Sequence, residues 1–127
     1  MFECAQIGNL EEILRGQTFA ALKSANSMFR GFNGVINIQS MKFPVLENAS
    51  AMFMSCGIAD SELVVDFPSV VNAKSMFYGC RFRKIQSVNI PNAQDASHMF
   101  TDCSNLEFAG TVALPRCRIV ESIFYNC

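Results

Sequence analysis

The chain has 127 residues, of which half are apolar and twelve are Phe, enough to form one continuous core. Its formal net charge of −1 provides no general attraction to nucleic acid or to an anionic membrane. No apolar run approaches the ~18–20 residues that a membrane-spanning helix requires, and residues 1–4 lack the basic and apolar segments of a signal peptide. The sequence therefore predicts one domain that neither binds nucleic acid nor inserts into a membrane.

Residues 1–24 are the least regular part of the chain. Asn9-Leu10-Glu11-Glu12 has the pattern of a capping box, which opens a helix. Phe19 and Leu22, in contrast, keep the apolar phase of the residues that follow. Residues 1–24 are therefore either a degenerate first repeat, which we favour, or an N-terminal cap of the same domain.

Residues 25–127 consist of repeats of about 24 residues. Met-Phe pairs occur at 1–2, 28–29, 52–53, 76–77 and 99–100, and Ile123-Phe124 continues the series. From the second pair onward, an apolar residue stands three positions before the Met, and Phe or Cys stands four positions after it. A period of this length is typical of stacked repeats, in which each unit buries its apolar side against its neighbours.

The first half of each repeat has helical spacing. Ala49, Met52, Phe53 and Cys56 lie at offsets of 0, 3, 4 and 7, which place one apolar stripe on an α-helix of about two turns. A residue that can cap a helix precedes four of the five stripes, and only Ile119 breaks this series; the four are Ser24, Asn48, Asn72 and Asp95. The pattern predicts a short capped helix in each repeat.

The second half of each repeat predicts a strand. Four segments have the order apolar, any residue, apolar, Pro, and they are Met41–Pro44, Val65–Pro68, Val88–Pro91 and Val112–Pro115. Alternation places the two apolar side chains inward and the residue between them outward. Proline then ends each strand, since it has no N–H for the next ladder bond.

These repeats resemble the BspA-type leucine-rich repeats, whose units have the form Ala-x-x-Met-Phe-x-x-Cys followed by an apolar strand and often Pro. Residues 76–80 and 88–93 carry the resemblance most clearly, and it covers about residues 25–127. Phe32 in place of Cys, one spacing of 23 residues and Arg83 in place of the usual Leu depart from the pattern. The resemblance implies a bacterial or protist surface protein used in adhesion, with no catalysis and no cofactor.

Together, the repeats and the resemblance predict an α/β fold. We expect a leucine-rich-repeat-like right-handed solenoid, with a short parallel β-sheet of about five strands on one face and short helices on the other. The outward strand residues are the candidate binding surface for a protein or glycan: Ser40, Lys42, Val64, Asp66, Ser87, Asn89, Thr111 and Ala113. The alternative is a structural spacer or self-associating segment with no ligand of its own.

Catalytic and metal sites are not predicted. Cys56, Cys80, Cys103 and Cys127 hold the last apolar position of their stripes, where a free thiol acts as a small buried hydrophobe. The spacings typical of zinc ligands are absent. His98, the only histidine, is expected to point outward, away from Cys103, so the two cannot form a nucleophile pair.

Location and assembly are expectations of a coarser kind. The resemblance implies a secreted or bacterial cell-surface protein, while the missing signal peptide leaves a cytoplasmic location open. The chain stops on an inward position of a stripe, so we expect either further repeats in a longer chain or end-to-end self-association. The pairing edge would carry Val112, Leu114, Ile123 and Phe124.

Overall fold

A computed structural model describes residues 17–33, 38, 41–57 and 62–127. Within these ranges the strands are β1 (Glu62–Asp66), β2 (Lys84–Asn89) and β3 (Phe108–Ala113). They form one parallel sheet in the order β1-β2-β3. The predicted short parallel sheet is confirmed over these three strands. The strand predicted at Met41–Pro44 is reduced to a single bridge between Thr18 and Lys42.

The strands lie slightly earlier than the sequence pattern predicts. Each of the three ends two residues before its proline, at Asp66, Asn89 and Ala113. In β1 the expected alternation holds: Leu63 and Val65 are buried, and the strand ends are exposed. Because the apolar residues before each proline still turn inward, as Phe67 and Ile90 do, the burial pattern continues past the last ladder pair.

The pairing register contains one irregularity, which a glycine accommodates. Leu63 pairs with Ile85 and Val64 with Ser87, so Gln86 is an extra residue of β2 relative to β1. Gly110 is the corresponding residue of β3, between the pairs Ile85–Ala109 and Ser87–Thr111. A Cβ atom added at Gly110 would lie 2.5 Å from the Gln86 carbonyl oxygen, so the close approach of the two strands requires glycine here.

The predicted helices are wrong. The apolar stripes lie in five segments of consecutive turns, here called the turn segments: 25–32, 49–56, 73–80, 96–103 and 120–127. In the second segment, Met52, Met54 and Cys56 donate N–H bonds to the carbonyl three residues earlier. The alternate N–H groups bond instead to the next repeat, as Ala51 does to Lys74 and Phe53 to Met76. The described residues therefore contain a short parallel sheet and almost no helix.

Left-handed backbone conformations explain why a helix does not form. In every turn segment the residues at offsets 2 and 6 have positive φ, for example Ala51 at 53° and Ser55 at 58°, or Ser75 at 53° and Gly79 at 66°. A right-handed helix needs negative φ at every residue. Two left-handed residues, four apart, interrupt each helical turn and direct alternate N–H groups toward the neighbouring repeat.

Three of the four residues predicted to cap helices accept backbone hydrogen bonds through their side chains. The side-chain oxygens of Asn48, Asn72 and Asp95 accept from the N–H two residues later, at 3.0, 3.0 and 2.9 Å. These bonds are Asx turns, which the same residue types form outside helices. The same positions also pair between repeats in an unbroken series of parallel bridges from Ser24 to Ile119. The capping chemistry is thus present, but it opens a turn segment.

A column of stacked phenylalanine rings forms the centre of the core. Phe29, Phe53, Phe77, Phe100 and Phe124 occupy the same position in successive turn segments, and neighbouring rings stack at 5.2 to 5.7 Å and within 8° of parallel. The Met residues beside them are buried as well. Apolar residues of the sheet close the core, since Leu63, Val65, Ile85 and Val88 are all at most 3% exposed. The predicted inward stripe is therefore correct for the first four turn segments, although it does not lie on a helix. In the fifth segment Val120, Phe124 and Cys127 are exposed, contrary to the prediction.

Within the described ranges, no helix has the length and apolarity needed to cross a membrane.

Candidate functional site

The predicted binding residues line up in two rows on the outer face of the sheet. Val64, Ser87 and Thr111 pair directly across the three strands and form the first row. Asp66, Asn89 and Ala113 pair in the same way and form the second row. All six are exposed or half-buried. These two rows are here called the sheet face; Ser40, also predicted for this surface, lies outside the described residues.

Polar contacts between strands hold the sheet face in place. The Asn89 side-chain amide donates to Asp66 Oδ1 at 3.1 Å, and so links two of the predicted residues. Next to them, Lys84 Nζ lies 2.6 Å from Glu62 Oε1 in an exposed ion pair. These contacts leave the face nearly neutral, and no excess charge of either sign runs along it.

A cleft opens at one end of the sheet face, where the regular pairing of repeats is interrupted. Lys42 pairs with Thr18 on one side, and β1 pairs with β2 on the other. Among the described residues, no backbone hydrogen bond joins 41–44 to β1. Pairing resumes further along, where the Val71 N–H donates to the Glu47 carbonyl at 2.8 Å. The gap is therefore confined to the region between residues 41–44 and β1.

The described residues that line this cleft are mostly apolar, with one charge of each sign among them. Its volume is about 370 Å³, and its lining consists of Ile38, Met41, Lys42, Phe43, Pro44, Val64, Asp66, Phe67 and Pro68. Phe43 and Phe67 meet edge to face at 5.6 Å and 77°, whereas Phe19 and Phe43 stack at 4.9 Å. The predicted residues Lys42, Val64 and Asp66 thus share a cavity large enough for an organic group.

Three thiols of the turn segments are buried and hydrogen-bonded, whereas Cys127, which was also predicted to be buried, is exposed. Cys56, Cys80 and Cys103 are each at most 1% exposed and free of disulfides. Each Sγ donates to the carbonyl of a Phe in the preceding repeat, as Cys56 does to Phe29 at 2.7 Å. Burial raises the pKa of Cys56 and of Cys103 to about 12 and raises the pKa of Cys80 well above its ordinary value. These thiols cannot act as nucleophiles near neutral pH, because the thiolate is the reactive form.

Two basic side chains and the possible metal ligands are further candidate functional groups. The basic residues Arg83 and Lys84 form exposed ion pairs with Glu107 and Glu62. No group of three or more His, Cys, Asp or Glu side chains in the described ranges could hold a metal ion.

A second depression, on the turn segments, escaped the sequence analysis. It measures about 480 Å³ and is lined by Met54, Ser75, Tyr78, His98, Thr101, Asp102, Ser122 and Tyr125. It contains both tyrosines and the only histidine of the chain. His98 is half-buried, whereas the sequence predicted an ordinary surface position.

The lining residues of this depression occupy two columns of equivalent positions. Offset 2 of successive turn segments supplies Ser75, His98 and Ser122, and offset 5 supplies Met54, Tyr78, Thr101 and Tyr125. The sequence prediction did not group these residues, although the two offsets would be neighbours on a helix as well, about 60° of rotation apart. The signal was nevertheless present in the sequence, because both offsets lie outside the apolar stripe and carry polar or aromatic residues in the last three repeats.

Comparison with known proteins found no matching family model, no similar curated protein and no similar solved structure.

Proposed function

We propose that this chain is a non-catalytic repeat scaffold that binds a protein or a glycan through its sheet face. In this proposal the repeats continue as a right-handed solenoid of the BspA-type leucine-rich-repeat kind, and the protein acts at a bacterial surface or in secreted form. The observation that carries the proposal is the alignment of six outward side chains in two paired rows, next to an apolar cleft. Extended surfaces of this kind are where stacked repeats commonly bind their partners.

The cleft beside Lys42 supplies a pocket for a buried apolar anchor, which the flat, polar sheet face lacks. Most of the binding energy at an interface comes from a few buried anchors, while surrounding polar contacts contribute little. An apolar group of the partner would pack into this cleft, whose lining includes Phe43 and Phe67. Lys42 and Asp66 line the same cavity and would then pair with negatively and positively charged groups of the partner, respectively, beside that anchor.

Replacing Lys42, Asp66 and Asn89 together by Ala tests this proposal. All three are exposed, so the fold should survive while capture of the partner is lost. The measurement is a pull-down from candidate host proteins and immobilised glycans, with circular dichroism to verify the fold.

The matched control replaces Lys23, Glu47 and Asn105, which are also exposed and lie away from the sheet face, by Ala. This control should capture the partner as the unchanged chain does. If the sheet-face variant and the control capture equally well, the sheet face is not the binding surface. If neither they nor the unchanged chain captures anything, the alternative of a spacer or self-associating segment gains support.

A further inference from the structure

The depression on the turn segments contains a notch between two tyrosines. Tyr78 and Tyr125 occupy the same offset in turn segments two apart, with Thr101 between them. Two inter-strand spacings of ~4.8 Å place their backbones roughly 10 Å apart. Thr101 is only 4% exposed, and its hydroxyl donates to the Ser122 carbonyl at 2.7 Å. A short, satisfied side chain therefore forms the floor between two aromatic walls.

A carboxylate stands at the same notch and is held in place. Asp102 Oδ1 accepts a hydrogen bond from the Asn126 side-chain amide at 2.8 Å. The Tyr78 hydroxyl also hydrogen-bonds this carboxylate, which raises the pKa of Tyr78 and lowers the pKa of Asp102. Asp102 is therefore ionised at neutral pH, and a carboxylate with about four acceptor sites retains capacity for a ligand.

The charge of the notch excludes one class of ligand. Among the described lining residues, Asp102 is the only carboxylate, and neither Lys nor Arg is among them. A phosphate, sulfate or carboxylate group would meet an uncompensated negative charge there. The ligand must instead offer hydrogen-bond donors to Asp102 and a face that packs on an aromatic ring.

We propose that the notch between Tyr78 and Tyr125 binds a neutral sugar ring, independently of the sheet face. The C–H groups of a pyranose pack on the exposed ring of Tyr125, which is 67% exposed. Sugar hydroxyls donate to the Asp102 carboxylate, and His98 and Ser122 lie beside them as further polar partners. A quaternary ammonium group is the competing ligand, since it too is attracted to aromatic rings beside a carboxylate. The sugar is favoured because the depression is open and lined by hydroxyl groups, whereas an ammonium group is best held by an enclosing cage.

The test is a titration of the isotope-labelled chain followed by NMR. The probes are the methyl glycosides of glucose, galactose, mannose and N-acetylglucosamine, and separately choline, each up to about 50 mM so that millimolar affinities are visible. We expect at least one glycoside to shift the amide signals of Thr101, Asp102 and Tyr125. The signals of Val64 and Ser87 on the sheet face should stay unchanged.

Three variants identify the groups responsible. Tyr125→Ala should weaken binding of that glycoside by about tenfold or more, because it removes a stacked ring. Tyr125→Phe should retain binding. Asp102→Asn should weaken binding at least several-fold while keeping the fold, since Asn also accepts the left-handed φ of 59° found at Asp102.

Lys42→Ala, on the other cavity, is the control and should bind as the unchanged chain does. Absence of shifts with every glycoside, shifts confined to the sheet face, or tighter binding of choline than of any glycoside would each overturn the proposal. Equal binding by Tyr125→Ala and the unchanged chain would overturn it as well. Shifts confined to the sheet face would support the proposed function while overturning the notch, so the two proposals can fail separately.

Discussion

Gly79→Ala should destabilise the protein and Ala51→Gly should stabilise it. In a helix, each of these substitutions would have the opposite effect. Gly79 has φ of +66° and Ala51 has φ of +53°, both in the left-handed region. An L-residue with a Cβ costs roughly 1–2 kcal/mol there. Glycine costs roughly 0.5–1 kcal/mol more backbone entropy than Ala on folding.

The balance of these two effects gives the expected magnitudes. Gly79→Ala should destabilise by about 1 kcal/mol, and Ala51→Gly should stabilise by about 0.5–1 kcal/mol. Steric overlap contributes little, because a Cβ at Gly79 would be 3.4 Å from the nearest atom, Ser55 Oγ. If the turn segments were helices, Gly79→Ala would instead stabilise and Ala51→Gly would destabilise, each by about 1 kcal/mol.

Urea denaturation of the two variants and the unchanged chain measures these differences. The midpoint of unfolding should fall for Gly79→Ala and rise for Ala51→Gly, with an unchanged slope. Pro or other helix breakers would not separate the two structures, since either is damaged by them. A rise for Gly79→Ala together with a fall for Ala51→Gly would refute the left-handed turns and restore the helices that the apolar spacing predicts.

Three further predictions concern the core, the sheet and the thiols. Phe77→Ala should destabilise by about 3–5 kcal/mol in urea denaturation, because Phe77 stacks between two rings, whereas Phe124→Ala, 40% exposed, should cost clearly less; equal losses would contradict the column. Gly110→Ala should destabilise by about 1–3 kcal/mol and disturb the β2–β3 amide signals in NMR, while Thr111→Ala on the exposed face should change little. Between the ordinary thiol pKa of 9.0 and about pH 12, Cys56 and Cys103 lose their protons in the unfolded chain but keep them in the folded chain. The free energy of unfolding should therefore fall by about 1.4 kcal/mol per pH unit for each of these thiols in that range. Cys56→Ala should reduce this slope, and an unchanged slope would show that the Cys56 thiol titrates as in water.

The repeat, the core and the parallel sheet could be predicted because they depend on which residues are apolar and how they are spaced. Phe53 and Cys56 are buried wherever the stripe faces inward, whether the backbone is helical or turned. The alternation around Leu63 and Val65 likewise fixes which side of β1 faces the core. Periodicity therefore predicted burial correctly.

Backbone conformation could not be obtained from the same periodicity. Offsets of 0, 3, 4 and 7 suit an α-helix, but they also suit consecutive turns whose left-handed residues fall at offsets 2 and 6. The missed signal is chemical: offset 6 carries Gly31, Ser55, Gly79, Asp102 and Asn126, and Gly, Asn and Asp are the residues that most readily adopt positive φ. A glycine in a single repeat would be weak evidence, whereas Gly, Asn or Asp at this offset in four of the five repeats forms a pattern.

The two candidate sites differ in how far the sequence could predict them. The rows on the sheet face follow from strand alternation, so Asp66 and Asn89 were placed together correctly. The cleft beside Lys42 could not be predicted, since it depends on a local loss of pairing between 41–44 and β1. The notch at Tyr78 and Tyr125 was missed because the sequence prediction treated the polar residues outside the apolar stripe singly and did not group offsets 2 and 5 across repeats.

The central structural claim is that alternate N–H groups of the first four turn segments bond to the next repeat. NMR scalar couplings across hydrogen bonds measure this directly, because they identify the carbonyl carbon that accepts each N–H. We predict couplings from the Phe53 nitrogen to the Met76 carbonyl, 2.9 Å apart as N···O, and from Phe77 to Met99 at the same distance. A coupling from the Phe53 nitrogen to the Ala49 carbonyl, as an α-helix requires, would contradict the account.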